Sequence, residues 1–160
     1  SLSLVPPDQT TPFFSAGRHA LGFIRERSAA IKPHGLRLHG DCHPGNLLWR
    51  DGQPNLVDLD DACNGPAVQD LWMLLSGDPA EAKSQLQTLV EGYEQFRPFD
   101  HQQLPLIDAL RLCRMLRHNA WVAKRWDDPA FPRAYPDFGS SSYWAQQAMQ
   151  LREQLAQIDH

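Results

Sequence analysis

The sequence has few cysteines and no long apolar run, and each shortage excludes a class of protein. Its three cysteines, Cys42, Cys63 and Cys113, are odd in number and widely spaced, which disfavours a disulfide framework and predicts reduced thiols. No apolar stretch approaches the ~20 residues that a helix needs to cross a bilayer. We therefore expect a cytoplasmic protein that has no membrane partner.

Positive charge is also scarce. The 15 Lys and Arg residues stand against 19 Asp and Glu, and the formal net charge is −4. Proteins that bind nucleic acid usually present a basic surface to the phosphates, so we expect no nucleic-acid partner. What the chain does have is an apolar fraction of 42% over 160 residues, which is enough for one hydrophobic core.

The spacing of apolar residues predicts a mainly helical domain. Residues 1–15 contain prolines and no helical period, and are expected to form an extended connector from another part of a longer protein. Residues 16–160 are expected to form one domain. Its predicted helices lie within 16–35, within 68–77, after the capping box of Asp78 and Glu81, from His101 to about Trp126, and from about Ser142 to Ile158.

A small β element is predicted inside residues 36–62. The segments LRLHGD, NLLWR and PNLVDL are short and β-prone, and Asp51-Gly52 is a turn signal that joins the last two as a hairpin. If LVDLD continues the strand, its alternation places Asp58 and Asp60 on one face. Val57 and Leu59 would then be buried on the other face.

Polar side chains suited to phosphoryl transfer are concentrated in these same residues. Asp41 and Asn46 lie in a segment with Pro44 and Gly45, which is too irregular for a helix, and the hairpin returns the chain to them at Asp58. Oxygen ligands of this kind suit Mg²⁺, and a carboxylate that is free of the metal can accept a proton from a hydroxyl nucleophile. The pattern therefore predicts a combined metal and proton-acceptor site.

Two other interpretations compete with this one. Asp and Asn residues in a Gly/Pro loop often form turns or caps, and Asp60 in particular can be a solvated turn residue. A zinc site is the second, because HGDCH offers imidazole and thiol ligands. Against zinc, the recurrent ligand spacings are missing, and the consecutive Cys42 and His43 would reach one ion only with strain.

The segments HGDCHPGN and LVDLDD resemble the catalytic loop and the metal-binding segment of the aminoglycoside phosphotransferase and choline kinase superfamily, which shares the protein-kinase fold. The longer match, from about Leu36 to Leu75, is similar to bacterial Ser/Thr protein kinases of the stress-response type within that superfamily. The resemblance implies an enzyme that uses Mg²⁺ and takes ATP as co-substrate. Its acceptor would be a protein Ser/Thr hydroxyl or, alternatively, the hydroxyl of an aminoglycoside, choline or homoserine.

The resemblance also implies a role for individual residues. Asp41 matches the catalytic base of the family, and Asn46 and Asp58 match its two metal ligands. Asp60 stands where the phosphotransferase branch commonly has an acid, which implies a secondary metal role. His39 and Asp70 match the residues that support the catalytic loop from beneath.

A basic stripe in the segment from His101 to Trp126 has two readings. Arg111, Arg114, His118 and Arg125 fall close to one helical face with Trp121 between them. The stripe can be an ordinary solvated face, or the rim that binds an acidic or phosphorylated protein substrate. Cys113 is on the opposite side and is expected in the core.

Parts of a kinase are missing from the sequence. It has no Gly-x-Gly-x-x-Gly loop and no Val-Ala-Ile-Lys strand, and only 40 residues precede Asp41. The chain thus resembles the C-terminal lobe of a kinase-like fold, whose partner would be its own N-terminal lobe and which we expect to be inactive alone. A non-catalytic module that docks a partner protein is the remaining alternative.

Overall fold

The computed structural model describes residues 4–158 and is mainly helical. The helices are α1 (Pro7–Ile31), α2 (Val68–Trp72), α3 (Pro79–Glu94), α4 (Ile107–Lys124), α5 (Ala130–Ala134) and α6 (Ser141–Ile158). Four short strands complete the fold, namely β1 (Leu36–Leu38), β2 (Leu47–Arg50), β3 (Gln53–Leu56) and β4 (Cys63–Gly65). The expected class, mainly α with a small β-hairpin as in a kinase-like C-terminal lobe, is confirmed. Across residues 4–158 no helix combines the length and the apolar character needed to cross a membrane.

The first helix begins earlier than the sequence suggests. α1 starts at Pro7, so the extended conformation expected for residues 1–15 is wrong from Pro7 onward, while residues 1–3 lie outside the described part of the chain. Proline is tolerated at the start of a helix, but Pro12 lies inside α1 and removes one backbone hydrogen bond. Burial of Phe13, Ala16 and Ala20 in the core offsets that loss. The origin of this segment as a connector stays a prediction.

The chain divides into two compact units. The first unit contains the residues up to Ala30 and those from Asp108 onward. Its core is formed by α1, α4 and α6 around Phe138, which is 1% exposed. Trp144 packs edge-on against Phe13 and Phe138, with ring centroids 4.6 and 5.0 Å apart. Such edge-to-face pairs are the favoured arrangement of aromatic rings in a core.

The second unit, Ile31–Ile107, contains all four strands. β2 pairs antiparallel with β3 from Leu47↔Leu56 to Arg50↔Gln53, as the turn signal predicted. β1 pairs antiparallel with β4 from Leu36↔Gly65 to Leu38↔Cys63. β4 was not predicted, because Cys-Asn-Gly has no β-prone residue and becomes a strand only by pairing with β1. Because the β1–β4 ladder encloses the hairpin in the sequence, both connecting segments, 39–46 and 57–62, run between the same two ladders.

The expectation for LVDLD is wrong. β3 ends at Leu56, and Asp58 has a φ of +61°, in the left-handed region where a strand cannot continue. Leu59 is 60% exposed and Val57 is not buried either. Asp58 and Asp60 are therefore loop residues and do not share the face of a strand.

Two of the remaining helices, α3 and α6, follow the sequence pattern closely. Asp78 accepts hydrogen bonds from the backbone N–H groups of Ala80 and Glu81, and Glu81 completes the expected capping box. The segment from His101 opens with a 3-10 helix, His101–Leu106, before α4 begins. α6 agrees with the predicted final helix to within one residue. α5 is a short helix inside a segment that was expected to be a loop.

Candidate active site

The segment between β1 and β2, residues 39–46, is anchored at its start by α2. Asp70 Oδ2 accepts a hydrogen bond from the backbone N–H of His39 at 2.7 Å, and Oδ1 accepts one from Gly40 at 2.9 Å. Gln69 Nε2 donates to the carbonyl of Gly40 at 3.1 Å. Three hydrogen bonds from two consecutive side chains of α2 thus fix the backbone just before Asp41. Sequence reasoning missed Gln69, whose only signal was its position beside Asp70.

His39 connects this segment to the residue before Asp58. Its buried ring accepts a hydrogen bond from the backbone N–H of Asp41 at Nδ1, at 3.3 Å, and its Nε2 lies 2.8 Å from the carbonyl oxygen of Val57. A carbonyl can only accept, so Nε2 carries the proton and the ring is the neutral tautomer. One imidazole therefore bridges the two segments that carry Asp41 and Asp58.

Asn46 forms a second link across the site. Its Nδ2 donates to the backbone carbonyl of Asp41 at 3.0 Å, and its own carbonyl accepts the N–H of Val57 at 3.0 Å. The Asn46 side chain is buried, and among the described residues no hydrogen bond engages its Oδ1. The amide oxygen is therefore the atom that Asn46 has available for a cation.

Asp58 and Asp60 are both exposed, but their surroundings differ. Asp58 directly follows the Val57 backbone that His39 and Asn46 hold. Asp60 lies in a turn closed by the hydrogen bond from Ala62 N–H to the Leu59 carbonyl, at 3.0 Å. The structure thus ties Asp58 to the site through two backbone hydrogen bonds of its neighbour, and gives Asp60 the geometry of a turn residue.

Gly40 brings that turn against the start of the site. Its φ is +87°, and a Cβ at this position would overlap the backbone oxygen of Asp61 and lie 3.4 Å from Cys63 Sγ. Only glycine combines this conformation with so close an approach. Sequence reasoning did not assign this role, although a glycine between His39 and Asp41 was its visible signal.

The donor set fits magnesium better than zinc. The amide oxygen of Asn46 and the carboxylate of Asp58 are hard oxygen ligands, and Mg²⁺ takes one or two carboxylates together with waters and substrate phosphates. Burial raises the pKa of the Cys42 thiol, and the nearby carboxylates of Asp70 and Asp41 raise it further, which disfavours the thiolate that zinc would need. Within residues 4–158 no group of three or more His, Cys, Asp or Glu side chains could hold a metal ion.

Three residues of the basic stripe, Arg111, Arg114 and His118, lie on α4, and Arg125 directly follows that helix. All four lie in the first unit, whereas the residues above lie in the second. Arg111 Nη1 is 3.6 Å from Asp108 Oδ1, and Arg114 and His118 are exposed. The His118 ring stacks against Trp121, with centroids 6.4 Å apart, and Arg125 lies over the same indole at 4.8 Å. Cys113 is exposed, so its expected core position is wrong; its neighbour Leu112 takes the buried position instead.

Comparisons with known proteins identify the family of this chain. A family model described as the phosphotransferase enzyme family matches residues 10–113. Stress response kinase A of Escherichia coli (strain K12) is 56% identical over 119 residues, which are 74% of this chain and 36% of the relative. Stress response kinase A of Salmonella choleraesuis (strain SC-B67) is 47% identical over 154 residues, 95% of this chain and 46% of the relative.

A protein named serine/threonine protein kinase RdoA, from Salmonella typhimurium (strain LT2), is also 47% identical over 95% of this chain and 46% of its own length. The chain therefore spans less than half the length of these curated relatives. The family match covers well over half of the chain and includes every residue from His39 to Asp70 that builds the site. On this evidence the chain belongs to the phosphotransferase enzyme family.

Proposed function

We propose that this chain carries the catalytic loop and the metal-binding segment of an ATP-dependent Ser/Thr protein kinase of the stress-response type, located in the cytoplasm. The observation that carries the proposal is the His39 bridge, in which one ring bonds to the backbone of Asp41 and to the residue before Asp58. Phosphoryl transfer depends mainly on positioning and charge stabilisation, so a base and a metal ligand must be held at a fixed separation. The relatives named stress response kinase A and serine/threonine protein kinase RdoA support the same activity.

Each residue has a distinct part in the proposed reaction. Asp41 accepts the proton of the attacking Ser or Thr hydroxyl, while Asn46 and Asp58 bind the metal, with Asp60 in a secondary metal role. Bound Mg²⁺ would neutralise charge on the phosphates of ATP. Asp70 and His39 hold the backbone that presents Asp41. The proposed acceptor is a protein, and Arg111, Arg114 and His118 of α4 are proposed as a rim that binds its acidic or phosphorylated side chains.

The N-terminal lobe is proposed as the partner that completes the enzyme. Kinases cover the phosphates with a glycine-rich loop and a Lys from that lobe, and the relatives have more than half of their length outside the region matched here. The β2–β3 hairpin exposes three large apolar side chains, Leu48 at 52%, Trp49 at 68% and Leu56 at 51%. The strand register places Trp49 and Leu56 on the same face of the hairpin, and exposed apolar side chains grouped in this way are typical of an interaction surface.

The test is Asp41→Asn in the full-length protein. Removing the base should lower kcat by roughly 10²- to 10⁴-fold and leave Mg-nucleotide binding nearly intact. Transfer of labelled phosphate from ATP to general protein substrates, measured beside a panel of small alcohols, gives the rate and also separates a protein acceptor from an aminoglycoside, choline or homoserine.

Asp51→Asn is the matched control for this experiment. Asp51 is a fully exposed hairpin residue with a φ of +51°, a conformation that Asn adopts readily, so the same chemical change should leave kcat unaltered there. Full activity of the Asp41 variant, or equal loss in both variants, would contradict the proposed role of Asp41.

A further inference from the structure

His43 contacts the backbone of the tight turn that follows it. It is the N-cap of the 3-10 helix Pro44–Asn46, and its Nδ1 accepts the backbone N–H of Gly45 at 3.0 Å. A Cβ on Gly45 would lie 2.8 Å from Cε1 and 2.9 Å from Nδ1 of the ring, which is closer than real Cβ contacts. The imidazole thus lies directly against the Gly45 backbone, and the glycine is what makes room for it.

This contact determines which ring nitrogen carries the proton. A backbone N–H can only donate, so Nδ1 must present its lone pair to Gly45, and the neutral ring has its proton on Nε2. Nε2 lies 3.5 Å from Oδ2 of Asp41. The two side chains are 35% and 24% exposed, so water only partly competes for this contact. The Nε2–H group of His43 therefore faces the carboxylate of the proposed base.

We propose that His43 is a positioning residue for Asp41, an inference that rests on the proposed function. Its Nε2–H engages Oδ2 of the carboxylate and holds the rotamer of Asp41. The 3.5 Å separation is long for a hydrogen bond, as catalytic contacts often are before substrate binds, and the inference requires it to shorten in the complex. The imidazole itself neither accepts the substrate proton nor binds the metal.

The two contacts of the ring can be separated by substitution. Asn can reproduce the Nδ1 acceptor and keep the cap on Gly45, but it cannot reach Asp41. Gln can place an N–H donor where Nε2 lies, but it gives up the cap. In the full-length protein, His43→Asn should lower kcat about 10- to 100-fold with the KM for Mg-ATP changed less than about twofold.

His43→Gln should show the opposite combination. Its kcat should exceed that of the Asn variant by about tenfold, because the donor to Asp41 is restored. Its Tm should fall by about 2–4 °C relative to the Asn variant, because the cap on the turn is lost. If His43 had only a structural role, the variant with the lower Tm would also have the lower kcat. That result would overturn the inference.

Two controls separate this inference from the proposed function. His19→Asn makes the same change at an exposed position of α1 and should alter neither kcat nor Tm. In an Asp41→Asn background, His43→Asn should cause no further loss, because the residue acts only through Asp41. If Asp41→Asn retains activity, the proposed function itself fails; if it is inactive while His43→Asn keeps the parent kcat, only the inference fails.

The tautomer gives a readout that does not depend on activity. Nitrogen-15 NMR of this chain should show the neutral His43 ring with Nδ1 unprotonated and Nε2 protonated. In the neutral tautomer with its proton on Nδ1, the ring would have no acceptor for the Gly45 N–H. Its Nε2 would then direct a lone pair, instead of an N–H, toward the carboxylate. That observation would overturn the inference even if the variants failed to fold.

Discussion

Asp58 holds a backbone conformation that few side chains accept. Its φ of +61° lies in the left-handed region, which Asn and Asp tolerate better than Ala does. We therefore expect Asp58→Ala to be less stable than Asp58→Asn by about 1 kcal/mol, as measured by urea unfolding. Both variants should weaken Mg²⁺-dependent nucleotide binding in the full-length protein, because each removes the negative charge of the proposed metal ligand. Equal stability of the two, or unchanged binding in either, would contradict this account.

The backbone conformation of Asp58 is a feature that the sequence pattern could not predict. The acids of LVDLDD were visible as ligand candidates, and the proposed roles of Asp41, Asn46 and Asp58 needed no structure. The alternation of apolar and acidic residues, however, could not show that the strand ends at Leu56. The strand ends where Asp58 adopts a left-handed φ and the Val57 carbonyl turns to the His39 ring, and these features depend on the folded chain.

Cys42 is next to the proposed base, and we expect its thiol to react slowly with alkylating reagents. Burial raises the pKa of its thiol, with the Asp70 and Asp41 carboxylates adding to the shift, so less thiolate is present at a given pH. We expect iodoacetamide to modify the exposed Cys63 and Cys113 first, and Cys42 only as the pH rises above the ordinary thiol range. Peptide mass spectrometry over a pH series measures this. Labelling of Cys42 as fast as the exposed thiols near pH 8 would refute it.

At the level of elements, two carboxylates make the same kind of contact in different places. Asp70 of α2 accepts the N–H groups of His39 and Gly40, and Asp78 accepts those of Ala80 and Glu81 at the start of α3. Asp70→Ala and Asp78→Ala should each lower the free energy of unfolding, by roughly 1 to 3 kcal/mol for the partly buried Asp70 and by about 1 kcal/mol for the exposed cap.

Activity should distinguish these two variants. Loss of Asp70 releases the backbone before Asp41, so kcat of the full-length protein should fall, whereas loss of Asp78 affects only the end of α3 and should leave kcat unchanged. Thermal unfolding and phosphoryl transfer measured on both variants provide the comparison. An Asp70 variant that is destabilised but fully active would show that α2 supports stability alone.

Elements with a strong period could be predicted, and those made by tertiary contacts could not. The capping box of α3 and the hairpin turn are local signals, and both were confirmed. β4 depends on a partner strand 25 or more residues away, and the early start of α1 depends on burial of Phe13 and Ala16. A pattern confined to a few neighbouring residues contains neither kind of information.

For the molecule as a whole, the proposed base, the proposed metal ligands and the residues that support them are confined to one unit. All residues from His39 to Asp70 lie in the unit Ile31–Ile107, which includes the proposed base and the proposed metal ligands but no glycine-rich loop. We expect the purified 160-residue chain to bind Mg-ATP weakly at most and to transfer no phosphate above the uncatalysed background, because positioning of the γ-phosphate is lost. Labelled ATP with general protein substrates measures this. Phosphorylation by the chain alone that disappears in Asp41→Asn would contradict it.

The nested strand ladders also affect how this site forms during folding. The contacts that join its parts are separated by 5 residues from Asp41 to Asn46, 18 from His39 to Val57, and 31 from His39 to Asp70. Short separations cost little chain entropy to close, and each inner closure shortens the loop that the next one must close. The hairpin can therefore pair first, the β1–β4 ladder next and α2 last. In this order, the contacts form progressively farther from the turn at Asp51-Gly52.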